Sequence, residues 1–173
     1  PLDKRYMYTQ GWYHVLRRFD RTTGQVVVLY QPKPDERFGG APPLAFSPKD
    51  PNTMYMAAQY VLASTDRGLT WRVISPDLLA PRGGPAPAPA TGAPATGVGA
   101  PAPGGSIQSL APSPVAAGVI WVGTSNGLIH LTRDAGQTWT NVTPPNLPPS
   151  GINVIDASHA TARMAIAAGA DLL

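Results

Sequence analysis

The side chains of this sequence that could do chemistry are ten carboxylates, three histidines, one serine in a glycine frame and a run of aromatics near the start. Hydrolysis of a glycosidic bond needs two facing carboxyl groups, about 5–5.5 Å apart for retention or about 6.5–9.5 Å for inversion. The single glutamate, Glu36, stands beside Asp35 in a charged, proline-rich connection, where neighbouring acids read as solvated charge. Asp156 ends an apolar run and is the better-placed acid, with capping of the following turn as its competing role. Asp3, Asp20, Asp50, Asp77 and Asp171 complete the candidates outside the repeat described next, and no pair can be assigned among them, so the catalytic residues are unknown. Gly123-Thr124-Ser125-Asn126-Gly127 has the spacing of a hydrolase nucleophile elbow, which requires a strand-turn-helix context. Here Asn126-Gly127 lies between two β-rich runs and reads as a hairpin. His14, His130 and His159 show no metal spacing, and with no cysteine there is no thiolate ligand, so neither a metal nor a cofactor is expected. Tyr6, Tyr8, Trp12 and Tyr13 could stack on sugar rings, although strand packing uses the same residues. Asn141-Val142-Thr143 fits an N-glycosylation acceptor, which has meaning only in a eukaryotic source.

The elements that must hold such residues are announced by a repeat. Ser64-Thr65-Asp66-Arg67-Gly68-Leu69-Thr70-Trp71 returns as Thr132-Arg133-Asp134-Ala135-Gly136-Gln137-Thr138-Trp139. The pattern Ser/Thr-x-Asp-x-Gly-x-Thr-Trp suits a turn between antiparallel strands. The carboxylate accepts turn amides and a hydroxyl, the glycine takes a left-handed backbone angle, and the tryptophan packs against a neighbouring sheet. Sixty-eight residues separate Asp66 from Asp134, or 43 once the 25-residue Pro/Ala/Gly/Thr tract 81–105 is set aside. Four-stranded repeat units commonly recur at roughly 40–50 residues.

The octapeptide resembles the Asp box of BNR-repeat β-propellers, the fold shared by sialidases, xyloglucan-cleaving enzymes and the sortilin ectodomain. The stretches 71–78, 118–134 and 138–145 are similar to large sortilin-like BNR proteins of bacteria, often labelled glycosyl hydrolases and typically exported. The likeness runs from about Phe19 to Ala167, leaving out the tract 81–105. It implies an all-β chain, a partial β-propeller of about three and a half four-stranded blades with Asp-box hairpins. It also implies a secreted or periplasmic location. The box residues Ser64, Asp66, Gly68, Thr70 and Trp71, with Thr132, Asp134, Gly136, Thr138 and Trp139, are then structural and lie on the outer rim, away from the central binding face.

The chain accordingly divides into a degenerate blade and connection (1–42), an Asp-box blade (43–80), a disordered insert (81–105), a second Asp-box blade (106–145) and the start of a further blade (146–173). Residues 6–30 read as strands broken at Gly11 and at 20–24. Strands are expected at 44–46, 53–57, 60–63 and 70–74, then at 107–110, 119–122, 128–131 and 138–142, then at 152–158 and 165–167. Ser47-Pro48 and Ser113-Pro114 mark matching turns, whereas 160–173 lacks a Pro/Gly-marked turn.

The composition, 43% hydrophobic with 13% charged residues, fits a globular β protein. No apolar run approaches the ~18 residues of a membrane-spanning helix. The net charge of +3 has Lys4, Arg5, Arg17, Arg18 and Arg21 near the N-terminus, a mild bias without the dense stripe that nucleic-acid binding wants. The sequence starts at Pro1 with no signal region, so a leader is expected to be removed or to lie upstream. An unfinished array needs the remaining blades of a parent chain, or self-association, to cover its ends. The expected function is a structural or binding segment with a carbohydrate or peptide ligand. The alternatives are a glycoside hydrolase whose catalytic pair falls largely elsewhere, and a protein-assembly platform comparable to the propeller that helps build photosystem II.

Overall fold

The computed structural model describes residues 4–39, 42–79, 105–148 and 150–169. All of the tract 81–105 except Gly105 lies outside the described residues, as do Asp3 and Asp171. Four antiparallel sheets follow one another along the chain. The first holds β1 (Tyr6–Gln10), β2 (Leu16–Asp20) and β3 (Val26–Tyr30). The second holds β4 (Leu44–Phe46), β5 (Met54–Ala57), β6 (Val61–Ser64) and β7 (Arg72–Val73), and the third β8 (Ile107–Pro112), β9 (Ile120–Thr124), β10 (Ile129–Thr132) and β11 (Thr140–Asn141). The fourth pairs β12 (Ile152–Ala157) with β13 (Ala165–Gly169). Within each sheet, neighbours in sequence are neighbours in space, so every connection is a hairpin.

Two expectations need correcting. The last strands of the second and third sheets shrink to two residues each, because Thr70 and Thr138 are drawn into the preceding turn by bonds to Asp66 and Asp134. The turn after β12 also has its own closure despite lacking proline and glycine. The Ser158 hydroxyl accepts the amides of Ala160 and Thr161, and the Ser158 amide bonds Met164 O across the hairpin. Ser47 and Ser113 do the same after β4 and β8, accepting from Lys49 and Asp50 and from Val115 and Ala116. One hydroxyl thus closes the same turn in three sheets. That turn leaves no capping role for Asp156, which sits exposed within β12 opposite Ile166.

Strand alternation explains why the middle sheets carry no polar face. On β5, Met54 and Met56 point into a core shared with Leu16, Leu29 and Tyr30 of the first sheet, while Tyr55 and Ala57 point into a core shared with Ile107, Ile120 and Val122 of the third. On β9 the alternation repeats, with Trp121 turned towards Ile152 and Ile155 of the fourth sheet. Successive side chains face opposite ways, so a sheet stacked between two others must be apolar on both sides. The end sheets differ. Met7, Val26 and Val28 on the first are 48%, 58% and 54% exposed, and Val154 and Ile166 on the fourth are 58% and 78% exposed. No described residue covers those faces.

Candidate functional site

Antiparallel hairpins place alternate loops at opposite ends of the sheets. The Ser47, Ser113 and Ser158 turns lie at one end with the two octapeptides. The β1–β2, β5–β6 and β9–β10 loops lie at the other, with the described parts of the connections from sheet to sheet.

At the octapeptide end each carboxylate is bonded within its own turn. Asp66 Oδ1 accepts from the Ser64 hydroxyl at 2.7 Å and the Thr70 amide at 2.9 Å, and Oδ2 from the Thr70 hydroxyl at 2.6 Å. Asp134 repeats this with Thr132 at 2.8 Å and Thr138 at 2.9 and 2.5 Å. The Ser64 and Thr132 hydroxyls each accept a glycine amide, from Gly68 at 2.8 Å and from Gly136 at 2.9 Å. These bonds, led by the threonine hydroxyls, hold both carboxyls at a pKa of about 2, so each is a fixed anion with no proton to give at neutral pH. In the first sheet Asp20 leads a different turn, bonded to the Thr22 and Thr23 amides and paired with Arg5 at 2.6 Å, and the Arg5 guanidinium holds its carboxyl far below the usual range.

The octapeptide is also a joint between sheets, as expected of its tryptophan, and the partner is the preceding sheet. Trp71 Nε1 donates to Leu29 O at 3.1 Å, and Trp139 Nε1 to Ile74 O at 2.7 Å, each in the preceding sheet. The glycines meet the same two residues: a Cβ on Gly68 would lie 2.8 Å from Leu29 Cδ1, and one on Gly136 would lie 2.5 Å from Ile74 O. Arg67 and Ala135, just before these glycines, are left-handed too, at φ 61° and 59°. Two successive residues with positive φ form the hairpin turn whose twist suits flanking strands. Leu29 therefore matches Ile74, and β3 is the outermost strand of its sheet.

At the other end, two separated stretches form a cup of about 940 Å³ lined by Gln10, Tyr13, His14, Gln31, Glu36 and Phe38, among others. Trp12–His14 makes one tight turn in which Tyr13 and His14 have φ of 63° and 60°. His14 stacks on Phe38 at 5.3 Å between centroids, while the Tyr13 ring is 88% exposed. Glu36 is no loosely solvated loop charge. Its Oε1 accepts the phenols of Tyr30 and, at 2.6 Å, Tyr60, and its Oε2 accepts the Lys33 amide at 2.8 Å. Burial, and then the Glu36 carboxylate, push both phenols well above the ordinary tyrosine range. The connection is pinned further by Gln59, which bonds Asp35 O at 3.1 Å and the Arg37 amide at 2.8 Å, and by an ion pair from Arg37 to Asp77. Gln10, Gln31 and Phe38 carry no signal in the sequence; only the loop-and-sheet geometry gathers them.

The remaining candidates go elsewhere. Tyr8 packs edge-on against Phe46 at 5.1 Å, and Tyr6 lies under the Arg18 guanidinium at 4.6 Å. Ser125 follows β9 in a hairpin where Gly127 N bonds Thr124 O, and its hydroxyl accepts the Ser106 amide at 2.9 Å, so no nucleophile elbow exists. His130 is largely enclosed in the third sheet, its Nε2 has no partner among the described residues, and burial lowers its pKa. Among the described residues no three His, Asp or Glu side chains converge to hold a metal ion, and no helix is long and apolar enough to cross a membrane.

No family model matches the chain. Among solved structures, one described as YCF48 bound to D1 peptide superposes with a TM-score of 0.54 at 15% identity, over 91% of this chain and 43% of that one. The chain is a partial β-propeller. Among the described residues its four sheets have three, four, four and two strands in chain order. A curated protein of Neosartorya fischeri, described as a probable oligoxyloglucan-reducing end-specific xyloglucanase, is 27% identical over 165 residues. Those residues are 90% of this chain and 18% of that protein, so the chain spans a minor part of both relatives.

Proposed function

We propose that this chain is a segment of an exported, sortilin-like Asp-box propeller that binds a glycan or peptide at the end opposite its Asp boxes. The observation that supports this most is the cup: an exposed aromatic, a stacked histidine and a pre-oriented carboxylate converge on one solvent-open hollow. Concave sites with a few placed polar groups are where ligands bind. The ten Asp-box residues are assigned a mechanical role, since their polar atoms bond one another and the preceding blade. The divisions 1–42, 43–80, 81–105, 106–145 and 146–173 are proposed as the repeat units and their insert. The apolar end faces support covering by further blades of a parent chain or by a second copy.

A glycoside hydrolase is the second reading, favoured by the xyloglucanase relative, with Glu36 as the acid this segment would contribute. An assembly platform is the third, favoured by a structural neighbour described with a bound peptide. Hydrogen exchange on the 173-residue chain, with and without panels of oligosaccharides and extended peptides, tests the first reading. Protection is expected in 11–15 and 31–38. Protection centred on 64–71 or 132–139 would place the ligand at the wrong end and overturn it.

A further inference from the structure

We infer that the cup takes a neutral pyranose ring, stacked on Tyr13 with a hydroxyl donated to Glu36. This rests on the reading of the cup as the binding site and narrows it to one ligand class.

The Tyr13 ring contacts no other ring among the described residues and is almost fully exposed, on a backbone angle that a bulky residue rarely adopts. Left-handed non-glycine residues persist where surrounding structure enforces them, and they cluster at ligand sites. Here the enforcement is visible. The loop closes on itself through Gly11 N to Val15 O at 3.2 Å and His14 N to Gly11 O at 3.1 Å, and His14 is clamped on Phe38. The Arg17 guanidinium lies against Gly11, 2.8 Å from where a Cβ would stand. The result is a flat apolar plate held out into solvent.

Glu36 decides the polarity of the ligand. A carboxylate offers about four lone-pair sites. Protein donors occupy two on Oε1 and one on Oε2, so the carboxylate is held rigidly with one acceptor site left, on Oε2. A group that meets it must bring a proton, and an anion is repelled by it. Arg17, although it packs on Gly11, is not among the residues lining the cup and does not reverse that sign within it. A peptide recognised through its main chain needs free backbone groups in a row. The cup presents little of this, since the loop amides of Gly11, His14 and Glu36 already bond within their own turns. Recognition falls to side chains: one aromatic plate, one fixed acceptor, the amide of Gln31 and the carbonyl oxygen of Gln10, whose Nε2 donates to Met56 Sδ at 3.5 Å. A pyranose supplies the matching surfaces, an apolar C–H face for the ring and equatorial hydroxyls for the acceptor and amides.

The test is isothermal titration of the 173-residue chain with a neutral β-linked gluco-oligosaccharide, with the oligoglucuronate of the same linkage and with an extended peptide of similar length. The neutral sugar is expected to bind, and the uronate at least about tenfold more weakly. Tyr13→Asn removes the plate while keeping a residue that tolerates the left-handed angle. It should weaken the neutral sugar at least about tenfold with the fold intact by circular dichroism, whereas Tyr13→Phe should bind as the parent does. Glu36→Gln should narrow the gap between neutral and acidic sugar. If the uronate or the peptide binds instead and Tyr13→Asn abolishes it, the cup is the site and the ligand class proposed here is wrong. If the neutral sugar binds and Tyr13→Asn and Glu36→Gln leave it unchanged, the cup is not the site and both readings fall. Absence of binding by the neutral sugar overturns the inference outright.

Discussion

At the octapeptide end a carboxylate finds its side-chain and amide donors within seven residues of chain; at the cup, Glu36 collects Tyr30, Lys33 and Tyr60 from two blades and the connection between them. Both ends also hold non-glycine residues in the left-handed region, Arg67 and Ala135 at the boxes and Tyr13 and His14 at the cup. The uses differ. In the boxes the angle serves a hairpin whose glycine and tryptophan press on the preceding blade, and the same geometry occurs twice. In the cup the angle serves one loop, occurs once and leaves an aromatic ring in solvent. A local and repeated arrangement suits the mechanical role proposed for the octapeptides, and a dispersed, single one suits the binding role proposed for the cup.

The sharpest break in this comparison is Gly136→Ala. The new Cβ would meet Ile74 O at 2.5 Å on a backbone angle of +94°, so strain and a parted blade junction add. A loss of about 3 kcal/mol is expected, seen as a melting temperature lowered by on the order of 10 °C. Ligand affinity at the cup should be unchanged in the fraction that stays folded.

Acid comes next. Asp66 and Asp134 have folded pKa values of about 2 against an ordinary value of 3.8. Depressed carboxylates contribute stability that is complete above the unfolded pKa and is lost as the pH falls through the folded one, here between about 4 and about 2. Denaturant melts across that window should show an acid limb, and the double variant Asp66→Asn, Asp134→Asn should flatten it while lowering stability at neutral pH. An unchanged limb would mean that the boxes are not what acid breaks.

Glu36→Gln probes the other end with a smaller cost to the fold. Removing the carboxylate leaves burial as the main influence on Tyr30 and Tyr60, so their ionisation should move back towards the ordinary tyrosine value. An ultraviolet titration reads this directly, and phenols that titrate as before would show that Glu36 is not held between them. The smallest effect is expected from Ala135→Gly, where relief of the left-handed angle slightly outweighs the added freedom of the unfolded chain. A gain of about 0.5 kcal/mol by chemical denaturation is expected.

The strands and boxes were legible because their causes are local. The short apolar runs at 54–57 and 120–124, Asn126-Gly127 between β runs, and the Asp-x-Gly-x-Thr-Trp octapeptides each contain the residues that form the element. The Ser158 turn is equally local, but it lacks the proline that accompanies the same serine at Ser47 and Ser113, so its only mark in the sequence is the hydroxyl. The cup was not legible. Glu36 read as a solvated loop charge and Tyr13 as one aromatic of a packing cluster, since neither Tyr60 nor Phe38 is marked as a neighbour by any spacing.

By itself, the sequence determined the all-β repeat, the position of nearly every strand and the turn chemistry that bonds Asp66 and Asp134, because bonds between residues two to four apart form whatever surrounds them. Only the tertiary structure decided that Trp71 and Trp139 reach the blade before their own, that Leu29 and Ile74 receive them, and that Gln10, Tyr13, Gln31 and Glu36 face one hollow. Those relations depend on how one twisted sheet stacks on the next, and stacking is set by side chains on both partners at once, so no single stretch of chain carries it.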